Sequence, residues 1–170
     1  MSLSADKSEE ISRERVSQMF DRIASRYDLL NHLLSLNIDK RWRRKMLGLL
    51  PEGNDLRLLD IASGTGDQLL ALADSNKIGD GIGIDLAEKM LDIGREKIRR
   101  ADLTARLSLE RGDAEELAFN DGSFDVTSIS FGIRNVTNVE KALSEMHRIL
   151  KPGGRSLILE FSLPTSKLIR

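Results

Sequence analysis

From Leu56 onward, five short apolar runs alternate with helical stretches, and this alternation is what most narrows the folds open to the chain. Strands separated by helices cannot pair as hairpins, so the run order predicts an α/β protein with a mainly parallel sheet. The expected strands are Leu56–Ile61, Gly81–Asp85, Arg106–Glu110, Phe124–Ser130 and Ser156–Phe161. Between them lie an expected helix from Gly66 to about Asp74 and another from Ala87 to Arg100 that buries Ala87, Met90, Leu91 and Ile98. A third is opened by Thr137–Glu140 (TNVE), which has capping-box spacing, and stopped by Lys151–Gly154 (KPGG). Its expected inward face is Val139, Leu143, Met146 and Leu150.

The first fifty residues differ in texture. Val16, Met19, Phe20 and Ile23 recur at helical spacing and predict one apolar face. Asp39 is placed to cap a helix running to about Leu50, with Trp42, Met46, Leu49 and Leu50 inward and Lys40, Arg41, Arg43, Arg44 and Lys45 outward. Pro51–Asn54 (PEGN) is a turn cluster. It divides an N-terminal helical cap (residues 1–50) from an α/β domain (residues 51–170).

Composition removes several function classes. The 26 Lys and Arg balance 27 Asp and Glu, so nothing suggests electrostatic capture of nucleic acid, and no nucleic-acid partner is expected. The absence of cysteine excludes disulfides, Cys-ligated metal and thiol catalysis, and no metal site is expected. No apolar run is long enough to span a bilayer, and Met1–Ser4 has no apolar signal core, so the expected compartment is cytoplasm.

The chemistry starts at Asp60–Gly66 (DIASGTG), a glycine-rich turn between the first strand and the next helix. Glycines let backbone approach a ligand, and a helix start offers free N–H groups. Asp85, 19 positions after Gly66, ends the second strand where the ribose hydroxyls of a bound nucleoside would lie. A Walker loop needs a lysine that is missing, and a dinucleotide fingerprint needs a third glycine where Leu69 stands. Asp60 and Asp67 flank the loop, where they would repel a pyrophosphate and attract the α-ammonium of a methionyl group. These features point to S-adenosyl-L-methionine (SAM). Ala62, Gly64, Thr65, Gly66 and Leu86 join Asp60 and Asp85 as expected cofactor-binding residues. So do Asp113, placed to accept the adenine amino hydrogen, Ala114, and Ser130 at the end of the fourth strand. Read alone, Asp113 is equally a turn residue and Ser130 a buried hydroxyl.

Several stretches resemble the ubiquinone/menaquinone biosynthesis C-methyltransferase family, within the class I SAM-dependent methyltransferases. They are residues 19–28 (MFDRIASRYD) with Asn31, Ser35 and Trp42; residues 59–67 (LDIASGTGD); residues 130–137 (SFGIRNVT); and residues 148–154 (RILKPGG) with 159–162 (LEFS). Two positions depart from the family pattern: Leu30 stands where it has Met, and Asp39 where it has His. The resemblance implies a Rossmann-like doubly wound sheet. Such enzymes continue beyond the fifth strand into a further helix and two antiparallel strands, so with its last residue at Arg170 the chain is expected to lack those C-terminal strands and to leave strand five as an edge.

The implied reaction is transfer of a methyl group from SAM to a ring carbon of a demethylated polyprenyl quinol, a demethylmenaquinol or ubiquinol precursor. Arg134 is implied to stabilise a phenolate and Asn135 to orient the hydroxyl or a water, while Tyr27 and Asp28 line the acceptor pocket. Ion pairing and turn formation explain Arg134 and Asn135 equally well. His147 reads as a surface residue rather than a base, and His32 has no visible partner. The lipid acceptor makes Lys40–Lys45 a candidate for peripheral membrane contact, although a solvated helix face reads as well, and a homodimer is a further expected association. Two other functions stay open: methylation of another small molecule, and a non-catalytic SAM-binding subunit, which the early stop favours. A nicotinamide oxidoreductase is disfavoured by Leu69 and the loop aspartates.

Overall fold

The computed structural model describes residues 14–24 and 38–161. Helix α1 covers 14–24, and α2 (Ile38–Lys45) runs into a 3-10 turn (Met46–Leu49). Then follow β1 (Leu56–Ile61), α3 (Asp67–Ala73), β2 (Ile78–Asp85), α4 (Glu88–Arg100), β3 (Leu107–Arg111), β4 (Phe124–Ser130), a second 3-10 turn (Ile133–Asn135), α5 (Val139–Arg148) and β5 (Leu150–Leu159). All five strands are parallel, in the order β3-β2-β1-β4-β5. The order reverses between β1, which pairs with β2 on one side, and β4 on the other. That reversal opens a crevice at the strands' carboxyl ends, the usual ligand site of such sheets.

The central strands are apolar on both faces, as a sheet covered by helices on both sides must be. One core joins Leu58, Leu69, Leu72, Leu91, Ile98, Val126 and Leu157 with Met46 and Leu50 from the α2 region. The other joins Leu59, Ile61, Ile84, Phe124 and Ile129 with Met146 and Ile149 from the α5 side. Strands β1 and β4 have the bounds expected from sequence, β2 starts three residues earlier, and β3 is displaced by one.

The larger differences have physical causes. Asn138, not Thr137, caps α5: its side chain accepts the Lys141 N–H at 3.0 Å. Its buried face is Ala142, Met146 and Ile149, while Val139 and Leu143 are exposed and Leu150 already belongs to β5. Both candidate faces pass through Met146, and the small Ala142 lets the helix approach the sheet on the other one. Lys151–Gly154 does more than stop α5. It bulges within β5, between the pairings Phe124 with Leu150 and Val126 with Arg155, and a bulge tolerates Pro152. In α2, Asp39 sits buried inside the first turn rather than capping it. The inward positions there are Asp39, Arg43, Met46 and Leu50, with Arg43 half-buried and Leu49 exposed. On α1, Ala24 is buried and Phe20 half-buried, whereas Met19 and Ile23 are exposed. Replacing Asn138 with alanine should cost about 1 kcal/mol. Thr137→Ala should be nearly neutral. Urea unfolding of the two variants tells the caps apart.

Candidate functional site

Beyond Ile61 the backbone turns through left-handed conformations at Ala62 (φ +50°), Gly64 (φ +55°) and Gly66 (φ +78°) before α3 begins. The turn is tied to the neighbouring strand: Ser63 N–H donates to the Ile84 carbonyl at 2.9 Å, and Gly64 N–H to the Asp85 carboxylate at 2.8 Å. The other Asp85 oxygen accepts the Ala87 N–H at 2.9 Å, so one carboxylate clamps the glycine loop to the start of α4. Burial pushes the Asp85 carboxyl above the usual carboxylate range, against the pull of those amides.

Across the crevice, Phe131 is also left-handed (φ +58°), and its N–H donates to the Leu159 carbonyl at 2.8 Å. Gly132 lies so close to the loop that a Cβ there would meet the Ala62 Cβ at 2.6 Å. Non-glycine residues in this region are strained, and the two that flank the crevice are where the chain turns off β1 and β4. Helix α1 covers one side of the opening. Its Ser17 hydroxyl donates to the Leu86 carbonyl at 2.9 Å, and Asp21 accepts the Lys89 N–H at 2.9 Å.

The result is a cleft of about 740 Å³, measured to its open mouth. Of the expected cofactor residues, Ala62, Gly64, Asp85, Leu86, Asp113, Ala114 and Ser130 line it, and so does Asn135, expected on the acceptor side. Asp60 and Thr65 line a smaller polar recess that shares Ala62, Gly64 and Ser130 with the cleft. Gly66 lies beneath the loop, where a Cβ would meet Leu109. Arg134 is not in the cleft wall: it donates to Glu160 at 2.5 Å and lies over the Phe161 ring at 5.4 Å. Tyr27, Asp28 and His32 lie outside the described residues. His147 is exposed. Among the described residues, no group of His, Cys, Asp or Glu could hold a metal ion.

The loop acids divide the work differently from the sequence expectation. Asp67 is neutralised by Lys97 Nζ at 2.6 Å, and the same ammonium donates to the Thr65 hydroxyl at 2.9 Å. Thr65 therefore turns its hydroxyl toward α4. The partners of Asp60 are hydroxyls instead. Asp60 is buried and accepts from Ser63 at 2.7 Å and Ser128 at 2.6 Å. Burial pushes its carboxyl up to about 6, opposed by the two hydroxyls and the nearby Arg43 charge. Asp60→Asn should therefore stabilise the fold above pH 7, by about 1–3 kcal/mol. The gain should shrink as pH falls from 6 toward 4, because wild-type Asp60 is then protonated in the fold while still ionised in the unfolded chain. Urea unfolding at pH 5 and pH 8 tests this, and a gain independent of pH would contradict it.

Three site residues escaped the sequence reading. Arg43 Nη1 donates to Gln68 Oε1 at 3.5 Å, and its guanidinium lies over the Phe131 ring at 5.3 Å. Gln68 is fully buried in the first turn of α3 and accepts from the Ser130 hydroxyl at 3.0 Å. Phe131 stacks on Phe161 at 4.7 Å and is tilted against Trp42 at 6.2 Å. A signal for Arg43 existed, since Asp39, Arg43, Met46 and Leu50 share one helical face, but the basic run around it reads as a solvated surface.

Comparison with known proteins agrees with this geometry. The ubiE/COQ5 methyltransferase family matches residues 8–170. The chain is 51% identical to the ubiquinone/menaquinone biosynthesis C-methyltransferase UbiE of Geobacter sp. (strain M21), over 89% of this chain and 65% of that protein. It is 44% identical to the demethylmenaquinone methyltransferase of Bacteroides fragilis (strain ATCC 25285), over 89% of this chain and 62% of that one. It thus spans just under two thirds of the length of these relatives. Among solved structures, a SAM-dependent methyltransferase from Thermotoga maritima superposes with a TM-score of 0.64 at 30% identity, over 83% of this chain and 59% of that one. The alternating strands, the glycine loop clamped by Asp85 and the match over residues 8–170 agree: the chain belongs to the ubiE/COQ5 methyltransferase family.

Proposed function

We propose that the cleft binds SAM and that the chain carries the catalytic body of a C-methyltransferase acting on a demethylated polyprenyl quinol. One observation carries the reading: the glycine loop with Asp85 and the post-β4 segment with Asn135 face a single continuous cleft and share Ser130. The walls suit the cofactor. Gly64 in the cleft wall has φ +55°, which favours glycine, and a Cβ there would crowd the Met90 side chain at 3.3 Å. Asp85 would hold the ribose hydroxyls and Asp113 the adenine amino group, with Ala114 and Leu86 packing beside the ring. When bound, SAM supplies an electrophilic methyl group on a sulfonium.

This chain's residues align and exclude water, which is most of what such a displacement asks of an enzyme. Asn135 would orient the acceptor hydroxyl. Tyr27 and Asp28 would complete the acceptor pocket. The relatives' names supply the quinone class of the acceptor. A polyprenyl tail places that acceptor in a membrane. Lys40, Arg41, Arg44 and Lys45 are exposed on α2 and would meet anionic lipid there. No helix among the described residues is long and apolar enough to cross a bilayer.

The test supplies methyl-labelled SAM and demethylmenaquinol in anionic vesicles and follows label into the quinol. Asn135→Ala should lower kcat about tenfold or more and leave SAM affinity unchanged. Saturable SAM binding with no label in any quinol would move the reading to a cofactor-binding subunit, and binding of NAD instead of SAM would end it.

A further inference from the structure

We propose that Arg43 and Gln68 form a carboxylate subsite that takes the amino-acid end of the cofactor, anchoring helix α2 to it; this rests on the SAM reading above. The recess beside the glycine loop is lined by Arg43 from α2, Asp67 and Gln68 from α3, Asp60 and Ser130 from the strand ends, and Ser63 from the loop. Arg43 can only donate, so the Gln68 atom facing it must be the amide oxygen. The Ser130 hydroxyl donates to that same oxygen. Gln68 Nε2 is therefore left as a donor, buried and with no acceptor among the described residues. Arg43 Nε is in the same condition. Buried donors without acceptors are rare in native folds and call for an explanation.

The chemistry of the recess selects the missing acceptor. A guanidinium beside an amide N–H₂ matches the two oxygens of a carboxylate. Neither loop acid fills that role, since Asp67 is held by Lys97 and Asp60 accepts from Ser63 and Ser128. The Asp60 wall would oppose a doubly charged phosphate but favours an ammonium. A ligand with ammonium and carboxylate on one carbon satisfies both walls, and the α-amino acid end of SAM is such a group. The recess and the main cleft share Ala62, Gly64 and Ser130 in their walls, which sets the two side by side for one molecule. The neighbouring Trp42 is the single tryptophan of the chain, and it shares the Phe131 ring with Arg43. Filling the subsite should therefore change its fluorescence.

The experiment titrates the 170-residue chain with S-adenosylhomocysteine, its decarboxylated analogue and 5′-methylthioadenosine, which lacks the amino-acid end. Heat and Trp42 fluorescence are the two readouts. Wild type should bind S-adenosylhomocysteine at least tenfold more tightly than the decarboxylated analogue, and only the carboxylate ligand should shift the fluorescence. Gln68→Glu keeps the acceptor and removes the donor, and Arg43→Met removes the cation. Each should weaken S-adenosylhomocysteine 10- to 100-fold and leave 5′-methylthioadenosine unchanged, with Arg43→Lys recovering part of the loss. Equal loss for all three ligands, or no loss, overturns the subsite. If a variant does not fold, equal wild-type affinity for the carboxylate ligand and its decarboxylated analogue overturns it alone. Wild type that binds none of the three ligands refutes the SAM reading instead.

Discussion

Alanine at Gly94 should destabilise the protein by about 3 kcal/mol, although helix propensity alone predicts a gain of about 1 kcal/mol. The residue lies in the middle of α4, where that helix crosses the glycine loop. A Cβ there would stand 2.3 Å from Leu109 Cδ1, 2.9 Å from the Thr65 carbonyl oxygen and 3.0 Å from its carbon. The leucine can turn away, but the Thr65 backbone cannot yield without moving the loop. Gly48 is the control, since nothing lies within 4 Å of a Cβ placed there. Urea unfolding of both variants measures the difference. A Gly94→Ala midpoint at or above wild type would show that α4 does not approach the loop this closely.

The second large effect falls on binding. Asp85→Ala should weaken S-adenosylhomocysteine by 100-fold or more, a loss of roughly 2.7 kcal/mol. Two effects add. The Gly64 and Ala87 amides lose their shared acceptor, so the loop is no longer fixed to α4, and the proposed ribose contact disappears. Asp85→Asn keeps one acceptor oxygen and should fall between wild type and alanine. Calorimetry reads the affinities, and the unfolding midpoint separates a loosened loop from a collapsed fold. An unchanged affinity in a folded Asp85→Ala protein would place the nucleoside elsewhere.

Much of this site was legible because its chemistry is local. The glycine loop, Asp85 and Ser130 stand at strand ends, and strand ends of a parallel sheet converge on the cleft whatever the details of packing. What stayed hidden depends on pairs distant in sequence. Asp67 looked like a ligand acid because nothing near it in sequence announces Lys97 as its partner. Arg134 looked like a cleft cation because Glu160, which draws it aside, belongs to the segment after β5. Arg43 was concealed by its neighbours, since five basic residues in six read as a wet face. On α5 the face with more large apolar residues is the exposed one, Val139 and Leu143, and the buried one carries the small Ala142. Periodicity ranks faces by hydrophobicity and does not weigh the advantage of a small residue at a close approach.

The all-parallel sheet also sets an order of assembly during synthesis. Strand β1 is made early and soon has β2 to pair with, yet its other edge waits for β4, where Leu58 meets Val126. At roughly 5–20 residues per second, several seconds separate the two. Through that interval the apolar edge of Leu56–Ile61 lies open and the crevice has only one wall. A nascent chain paused before Phe124 would hold the glycine loop and Asp85 without Ser130 or Asn135. Such a chain would depend on chaperones to keep that edge from pairing with another.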